Sequence, residues 1–342
     1  MFVRTLAAAT VAAALAVTAG CTDAAEEPDA GNGAQTLEKV TYLTSFGTFG
    51  RDSYVYLAKE KGYFRDAGFD VDIKPGAGTG DNIKLIVGGQ AQFTPIDLTG
   101  GLLTAGNGGG KDPGFTAVAG IQQRTMAAII SLDGNGIKTP KDLEGKKLAD
   151  LPGSVVRNLF PTYAKLAKVD ASKVTWVNGT PQTLMGTLAS GQVDGIGQFV
   201  VGKPTVETVA KGKTAVVLPY SDYLQDLYGN ALITSTAYAQ GNPAKVKKFT
   251  AALLKGLEEA IANPTEAGAM LQKSVPTANP QAAAAELQLM ASFVRSEASG
   301  VPVGALDNRR VARSIAILQG AGAIPEGLTP EKVISFDLVP KA

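Results

Sequence analysis

Hydrophobic positions along the chain follow two different periods in turn. Apolar stretches at 40–46, 69–73 and 91–97 have the length and alternation of β-strands, whereas the segments 53–64 and 81–87 place apolar side chains on one face of a helix. Strands and helices that alternate with short connections are typical of α/β proteins. The pattern therefore predicts an α/β fold with a largely parallel sheet.

A second series of similar elements begins about a hundred residues further on. Thr139, Pro140 and Asp142 predict a helix start, with Thr139 as the N-cap. The elements predicted after it are strands at 146–150, 173–178 and 192–199 and helices at 154–169, with Pro161 as a kink, and at 180–191. Segments 86–93 (IVGGQAQF) and 188–195 (LASGQVDG) share a helix end, a Gly-Gln pair and a strand start. We therefore expect two similarly built lobes.

The pattern changes after Pro243. From 242 to 317 the chain is rich in Ala, Leu and Lys, and its helical periodicity is interrupted by prolines at 264, 276, 280 and 302. A helical tail of this length is expected to pack on one of the lobes.

The N-terminus has the pattern of an export signal. Residues 1–20 contain one early positive charge, an Ala/Val/Leu run and then small residues, which predicts a secretory signal peptide. Cys21 directly follows Thr18-Ala19-Gly20, which resembles a bacterial lipobox, so we expect Cys21 to carry lipid. An ordinary secretory signal with an incidental cysteine is the alternative. Residues 21–37 are small and acidic, without apolar periodicity, and are expected to form a flexible tether.

The composition excludes most of the common kinds of catalytic site. Among 342 residues there is no histidine and one cysteine, so the chain cannot build a Ser-His-Asp triad, a Cys-His pair or a Cys/His zinc site. No pair of carboxylates is spaced for acid/base catalysis. We therefore expect no catalytic residue, no metal site and no cofactor, and hence a protein that is not an enzyme.

Charge gives no indication of a macromolecular partner. Lys and Arg number 32 and Asp and Glu 31, so removal of Arg4 with the signal peptide leaves 31 against 31. No basic cluster is present, which argues against a nucleic-acid partner. Two glycine-rich segments, 76–81 (GAGTGD) and 106–112 (GNGGGKD), lack residues that the dinucleotide and P-loop motifs require, and are predicted to be loops.

Three segments carry a family resemblance: 58–73 (AKEKGYFRDAGFDVDI), 138–149 (KTPKDLEGKKLA) and the turn at 188–195. Together they resemble the periplasmic solute-binding proteins of ABC importers, in the sulfonate, taurine, nitrate and thiamine-pyrimidine branch called SsuA/THI5-like or NMT1-like. The resemblance covers about 37–262 and, more loosely, the helical tail.

This resemblance implies a type II periplasmic-binding fold, in which two lobes joined by two crossovers close on a ligand. Lobe 1 would comprise 38–130 and 235–342, lobe 2 would comprise 131–234, and the crossovers would lie near 128–131 and 228–235. It also implies a small-molecule solute, permease and ATPase subunits as partners, and a monomer. With lipid on Cys21, the protein would be anchored to the outer face of the cell membrane, as is usual in Gram-positive bacteria.

Candidate binding residues follow from the expected architecture, because ligands of open α/β sheets bind at the carboxyl ends of strands, beside helix N-termini. The candidates are Phe46, Phe49, Arg51 and Asp52 in the first loop, Asp97 and Thr99 in the second, Gly153 and Ser154 in the third, Gln198 and Phe199 with Gln182 in the fourth, and Gln122, Tyr228 and Asn230 near the crossovers.

Several of these candidates also have a purely structural interpretation. Phe46 could be a core residue, Arg51 a solvated charge, and Asp97 and Ser154 helix N-caps. Aromatic side chains in the first loop favour a flat heterocycle, whereas Arg51 and the Gly153-Ser154 pair, which resembles the anion-binding helix start of the family, favour a sulfonate or carboxylate. We slightly prefer a thiamine-pyrimidine precursor, with sulfonate, taurine or nitrate as the alternative. A sensor that does not transport is a further alternative.

Overall fold

The computed structural model describes residues 36–109, 111–296 and 298–341. The predicted signal peptide and the predicted lipidation site at Cys21 lie outside these residues, as does almost all of the predicted tether. Within the described residues, no helix has both the length and the apolar character needed to cross a membrane. The described chain from Thr36 onward forms one compact unit.

The described residues form twelve strands. In chain order they are β1 (Glu38–Leu43), β2 (Phe46–Gly47), β3 (Phe69–Lys74), β4 (Gly76–Ala77), β5 (Thr94–Asp97), β6 (Phe115–Gly120), β7 (Ala127–Leu132), β8 (Lys147–Asp150), β9 (Thr175–Asn178), β10 (Gly195–Phe199), β11 (Ala215–Pro219) and β12 (Asn230–Ser235).

Twelve α-helices lie among and after these strands in the part of the chain that the structure describes. They are α1 (Ser53–Glu60), α2 (Tyr63–Asp66), α3 (Thr79–Val87), α4 (Leu98–Gly106), α5 (Val155–Leu166), α6 (Leu184–Ala189), α7 (Lys203–Val209), α8 (Thr236–Gly241), α9 (Pro243–Ala262), α10 (Pro264–Ser274), α11 (Pro280–Val294) and α12 (Asn308–Gly320). Short 3₁₀ helices include Gly50–Asp52, before α1, and Val200–Gly202, before α7.

The first group of strands surrounds an aromatic core. β1 pairs with β3 in parallel, a parallel bridge joins Tyr42 to Phe93, and β12 lies between β5 and β6 in an antiparallel arrangement. Phe249 of α9 packs against these strands and stacks on Phe93 at 3.9 Å between ring centroids. The tail helix α9 therefore contributes to the same core as the N-terminal strands.

The second group forms one sheet with the strand order β11-β7-β10-β8-β9. Its β8 pairs in parallel with β9 and β10, but β7 is antiparallel to both β10 and β11. The expectation of a largely parallel sheet is therefore wrong, since β7, β11 and β12 run antiparallel to their neighbours. Local periodicity could not reveal this, because the direction of β7 depends on partners that lie more than sixty residues later in the chain.

The chain passes from the first group of strands to the second between β6 and β7, and returns between β11 and β12. The segments 128–131 and 228–235, near which the crossovers were expected, lie mainly inside β7 and β12. The connecting residues are thus 121–126 and 220–229. The division into rigid lobes at 131 and 235 stays a prediction.

Most predicted elements are present, with shorter bounds. The helix predicted over 53–64 is divided by Gly62, which adopts the left-handed conformation with φ 79°, and the one predicted over 180–191 begins only at Leu184. Pro161 lies inside α5, as predicted. Thr139 precedes a 3₁₀ helix, where its backbone N–H and hydroxyl both donate to the Asp142 carboxylate.

The helical tail packs against β6 and against helices that follow strands of both groups. α9 packs on α1 and α2, which follow β1, whereas α11 contacts the 3₁₀ helix Gly50–Asp52 as well as α7. A Cβ added at Gly50 would lie 2.3 Å from the Cα of Ala283, so the backbones of the first loop and α11 approach closely there. The tail therefore packs on elements of both groups, whereas it was expected to return to the first lobe alone.

Candidate functional site

A pocket lies where the carboxyl ends of β5, β8 and β10 meet the N-termini of α3, α4 and α5. Residues from both groups of strands form its walls, which is the position that open α/β sheets offer to ligands. The lining residues are Ser45, Phe46, Gly78, Thr79, Asp97, Asp150, Ser154, Val155, Val156, Gly197, Gln198, Phe199 and Asn230.

The walls of the pocket lie close together. The cavity has a volume of about 20 Å³, which is enough for little more than one water molecule. Contacts across the pocket agree with this, since α4 contacts α5. A solute the size of a six-membered ring therefore needs the walls to separate before it can enter.

Asp97 ends β5 and caps α4. Its Oδ1 accepts hydrogen bonds from the backbone N–H groups of Thr99 and Gly100 at 2.9 and 3.3 Å, and its Oδ2 accepts one from the Thr125 hydroxyl at 3.5 Å. Burial disfavours the charged form and raises the pKa of Asp97 to about 7, in spite of these donors. The carboxylate is therefore held by neutral groups alone.

Asp150 occupies the matching position at the end of β8. Its Oδ1 accepts from the backbone N–H of Leu151 at 2.7 Å, and its Oδ2 accepts from the hydroxyl of Ser154. Burial raises the pKa of Asp150 to about 6. Gly197 of the adjacent β10 makes room for this carboxylate, because a Cβ there would lie 2.1 Å from Asp150 Oδ2.

Three polar side chains of the lining carry buried atoms without a hydrogen-bond partner. These atoms are Ser45 Oγ, Gln198 Nε2 and Asn230 Oδ1. Gln198 is oriented by its Oε1, which accepts from the backbone N–H of Phe199 at 2.9 Å, so its amide N–H groups are left for another partner. Burying such groups unpaired costs about 1–3 kcal/mol each, which a bound polar solute would offset.

Asn230 is positioned by Gln122, whose Oε1 accepts from the Asn230 backbone N–H at 2.7 Å. Gln122 is itself buried and does not line the pocket, since its Nε2 approaches the Met290 sulfur at 3.4 Å. Gln122, which was predicted to bind the solute, therefore lies behind the pocket wall.

The apolar part of the wall comes from Phe46, Val155, Val156 and Phe199. Phe46 also packs in the apolar cluster of the second sheet, with Ile130 and Ala149 among its members. Its two proposed roles, core residue and pocket wall, are thus both present.

Arg51 lies behind this apolar wall. Its guanidinium carbon is 4.6 Å from the ring centroid of Phe49 and 4.9 Å from that of Phe199, and its Nη2 donates to the Phe46 carbonyl at 3.2 Å. The side chain is 1% exposed, so the interpretation of Arg51 as a solvated charge is wrong. Its Nε and Nη1 have no hydrogen-bond partner.

Two further buried carboxylates lie near Arg51. Asp52 accepts from the Phe49 backbone N–H at 3.0 Å, and burial raises its pKa to about 6. Glu286 of α11 accepts from the Arg51 backbone N–H at 3.0 Å and from the Thr205 hydroxyl of α7, and burial raises its pKa as well. Neither carboxylate lines the pocket.

The structure brings six of the predicted residues together in the pocket: Phe46, Asp97, Ser154, Gln198, Phe199 and Asn230. Ser154 is a helix N-cap as well, because its Oγ accepts from the Arg157 backbone N–H at 3.1 Å.

The other predicted residues lie outside the lining: Phe49, Arg51, Asp52, Thr99, Gln122, Gly153, Gln182 and Tyr228. Gly153 and Gln182 are exposed, and the Thr99 backbone N–H donates to Asp97. Tyr228 points away from the pocket, since its hydroxyl accepts from the Asp307 backbone N–H and its ring lies under Arg310 at 4.1 Å.

Sequence reasoning missed seven lining residues: Ser45, Gly78, Thr79, Asp150, Val155, Val156 and Gly197. A signal for Asp150 existed, because it ends a predicted strand just before the third loop. The contribution of Gly78 and Thr79 could not be seen in the same way, since they begin α3 after the two-residue strand β4.

The lining contains no lysine or arginine among the residues that the structure describes. Across the described parts of the chain, no group of three or more Cys, Asp or Glu side chains is arranged to hold a metal ion. The polar character of the pocket therefore comes from carboxylates, amides and hydroxyls.

A family model described as NMT1/THI5 like matches residues 53–267. Among curated relatives, the formylaminopyrimidine-binding protein of Halalkalibacterium halodurans is 24% identical over 247 residues, which are 72% of this chain and 73% of the relative. The riboflavin-binding protein RibY of Chloroflexus aurantiacus is 24% identical over 320 residues, which are 90% of this chain and 88% of the relative.

Solved structures share the fold. The alkanesulfonate-binding protein SsuA of Xanthomonas axonopodis pv. citri, bound to MOPS, superposes with a TM-score of 0.68 at 17% identity, covering 86% of this chain and 97% of the other. The nitrate-binding protein NrtA of Synechocystis PCC 6803 superposes with a TM-score of 0.69 at 12% identity, covering 88% of this chain and 87% of the other. The desulfurization enzyme DSZB also matches, with a TM-score of 0.56 at 14% identity, covering 88% and 97%.

Proposed function

The chain belongs to the NMT1/THI5-like family and is a solute-binding protein of the ABC import type, and from this premise we propose that its solute is a small, flat nitrogen heterocycle of the thiamine-pyrimidine kind. The relative that binds a formylaminopyrimidine supports this choice of class. We propose that it works on the outer side of the cell membrane, a location supported by the likeness of its fold to that of periplasmic binding proteins.

The observation that carries the proposal is the make-up of the pocket. Phe46 and Phe199 supply apolar surface for a ring, while Asp97, Asp150 and Asn230 supply hydrogen-bond acceptors. A heterocycle with amino groups matches this combination, because its faces are apolar and its edge donates hydrogen bonds. Micromolar affinity corresponds to about −8 kcal/mol, which a few such bonds and one buried ring can supply.

A sulfonate, taurine or nitrate is the second candidate solute. Two observations favour it: Ser154 lies at the N-terminus of α5, and buried Arg51 has unpartnered N–H groups. However, the Ser154 hydroxyl donates to the Asp150 carboxylate, and Arg51 lies behind the aromatic wall. An anion in the pocket would face two carboxylates, so the heterocycle is the better match.

The remaining parts of the proposal rest on the sequence. The protein would be held at the membrane by lipid on Cys21, act as a monomer, deliver its solute to a permease with an associated ATPase, and carry out no catalysis. The absence of histidine supports the last point, although the fold itself also occurs in an enzyme.

A thermal-shift titration of the purified protein tests the solute class. We expect a concentration-dependent rise in melting temperature with aminopyrimidines, and none with taurine, alkanesulfonates or nitrate, because a solute that binds only the folded state stabilises it. Asn230→Ala should abolish the shift, while Asn107→Ala, a change at an amide outside the pocket, should leave it intact. A shift with sulfonates alone would overturn the choice of heterocycle.

A further inference from the structure

Two carboxylates face the pocket from opposite walls, and together they restrict the charge of the solute. Asp97 comes from β5 in the first group of strands, and Asp150 comes from β8 in the second. They are 2% and 1% exposed, and both line the pocket. Each of the two walls therefore contributes one carboxylate to the lining.

Neither carboxylate is neutralised by an ion pair within the described chain. The hydrogen bonds that Asp97 and Asp150 accept come from backbone N–H groups and hydroxyls. The positive charge of Arg157 partly offsets the rise in the pKa of Asp150 that burial causes. The Arg157 side chain itself donates from Nη1 to Asn178 Oδ1. Buried carboxylates without cationic partners are costly in the charged form, and burial accordingly raises the pKa of both.

The carboxylate of Asp150 is also specifically accommodated by its neighbour. An alanine at position 197 would place its Cβ against Asp150 Oδ2, so the side chain can lie at the wall only because residue 197 is glycine. The unpartnered Asn230 Oδ1 adds a third acceptor nearby. The unpartnered Gln198 Nε2 and Ser45 Oγ can donate to a solute, but the charged side chains of the lining, Asp97 and Asp150, are both acidic.

We propose that Asp97 and Asp150 act as specificity-determining residues that select a cationic, amidine-type solute, which donates hydrogen bonds to both walls at once. This inference rests on the proposed function and narrows it. Among flat nitrogen heterocycles, the pocket takes an aminopyrimidine in its protonated form and discriminates against oxo-pyrimidines, whose carbonyl oxygens would face the carboxylates. A cationic solute that donates to both Asp97 and Asp150 would also hold the two walls of the pocket together.

Calorimetric titration with 2,4-diaminopyrimidine and uracil tests the inference, because the two probes share ring and size but differ in charge and donors. We expect diaminopyrimidine to bind at least tenfold more tightly. Asp150→Asn should reduce its affinity at least tenfold, and Asp97→Asn should do likewise, while uracil changes less than threefold. Asp70→Asn, which alters an exposed carboxylate of β3, is the matched control and should have no effect.

Gly197→Ala provides a second variant that keeps every charge. It should displace the Asp150 carboxylate and weaken diaminopyrimidine binding without removing an acidic group. Apo melting temperatures of all variants distinguish lost binding from misfolding.

Equal binding of the two probes, or a preference for diaminopyrimidine that survives both Asp→Asn changes, would overturn this inference. Binding of sulfonates, riboflavin or uracil without carboxylate dependence would overturn it while leaving a solute receptor. Failure of every solute class would remove the proposed heterocycle function as well.

Discussion

Asp97 serves the fold and the pocket with the same carboxylate. It accepts from two backbone N–H groups as the N-cap of α4, and it lines the pocket. The sequence left these two roles as alternatives, but they coincide for a geometric reason. A helix that starts directly after a strand has its N-cap at the carboxyl edge of the sheet, which is where ligands of this fold class bind.

The burial of Asp97 predicts a pH dependence of stability. Its pKa is raised in the folded protein to about 7, from the ordinary value of 3.8, so the folded state favours the protonated form. Stability is therefore fully present below the unfolded pKa and is lost as the pH rises toward 7. Between pH 4.5 and 7.5, the unfolding free energy of the wild type should fall by about 2–3 kcal/mol more than that of Asp97→Asn.

Urea denaturation of the solute-free protein at the two pH values measures this difference. Asn at position 97 retains an acceptor for the α4 N–H groups, so the helix cap is preserved. Asp70→Asn controls for the loss of a negative charge as such. The same pH dependence in the wild type and in Asp97→Asn would contradict the prediction.

The sequence-based predictions were wrong mainly for residues whose surroundings are formed by parts of the chain far away in sequence. The carboxyl ends of predicted strands correctly indicated Asp97, Ser154 and Gln198 as parts of one pocket. Arg51, by contrast, lies between two aromatic rings, one of which, Phe199, is far away in the chain. Which face of a loop is buried depends on such contacts with distant residues, and the hydrophobic periodicity of the loop itself does not predict them.

At the level of elements, hydrophobic periodicity predicted which segments are helices and which are strands, but not how strands pair. The strands at 69–73 and 173–178 and the helix at 81–87 are present within a few residues. Strand direction was missed because β7 pairs with β10 and β11, and the energy of such pairing lies in contacts between distant segments.

The tail helix α11 connects the two sides of the pocket. Glu286, which is fully buried, accepts from the Arg51 backbone N–H beside the first loop and from the Thr205 hydroxyl of α7, which follows β10. Gly50 packs closely on the same helix. Movement of the two walls apart would break the Thr205 hydrogen bond and expose the carboxylate to water.

Thr205→Val should therefore weaken solute binding. Loss of the hydroxyl leaves a buried oxygen of the Glu286 carboxylate unpaired, which destabilises the closed arrangement by about 1–3 kcal/mol. The cost is smaller once the walls separate, because water can then reach the carboxylate. We expect about a tenfold loss of affinity for the aminopyrimidine probe, mainly through faster dissociation, measured by stopped-flow fluorescence. Thr208→Val, an exposed change on the same helix, should have no effect; equal dissociation rates for both variants would rule out a role for Glu286 in closure.

For the molecule as a whole, the two-lobed fold could be predicted from the sequence because its signals are repeated. Two series of strands and helices, each with a helix end, a Gly-Gln pair and a strand start, point to two related lobes, and the family resemblance implies how they are connected. The distance between the walls could not be predicted in this way, since it depends on packing across the pocket, such as that of Phe46 in the apolar cluster of the second sheet.

The narrow pocket predicts that the solute-free protein opens in solution. The cavity volume is about 20 Å³, so a ring can enter only if the walls move apart. The described chain crosses between the two groups of strands at 121–126 and 220–229. Rotation about these two segments leaves each sheet intact. In small-angle X-ray scattering, we expect the radius of gyration to decrease when aminopyrimidine is added at saturation, and to start from a larger value in Thr205→Val. An unchanged radius on solute binding would mean that the pocket admits its solute by side-chain movement alone, with the walls held at the separation seen here.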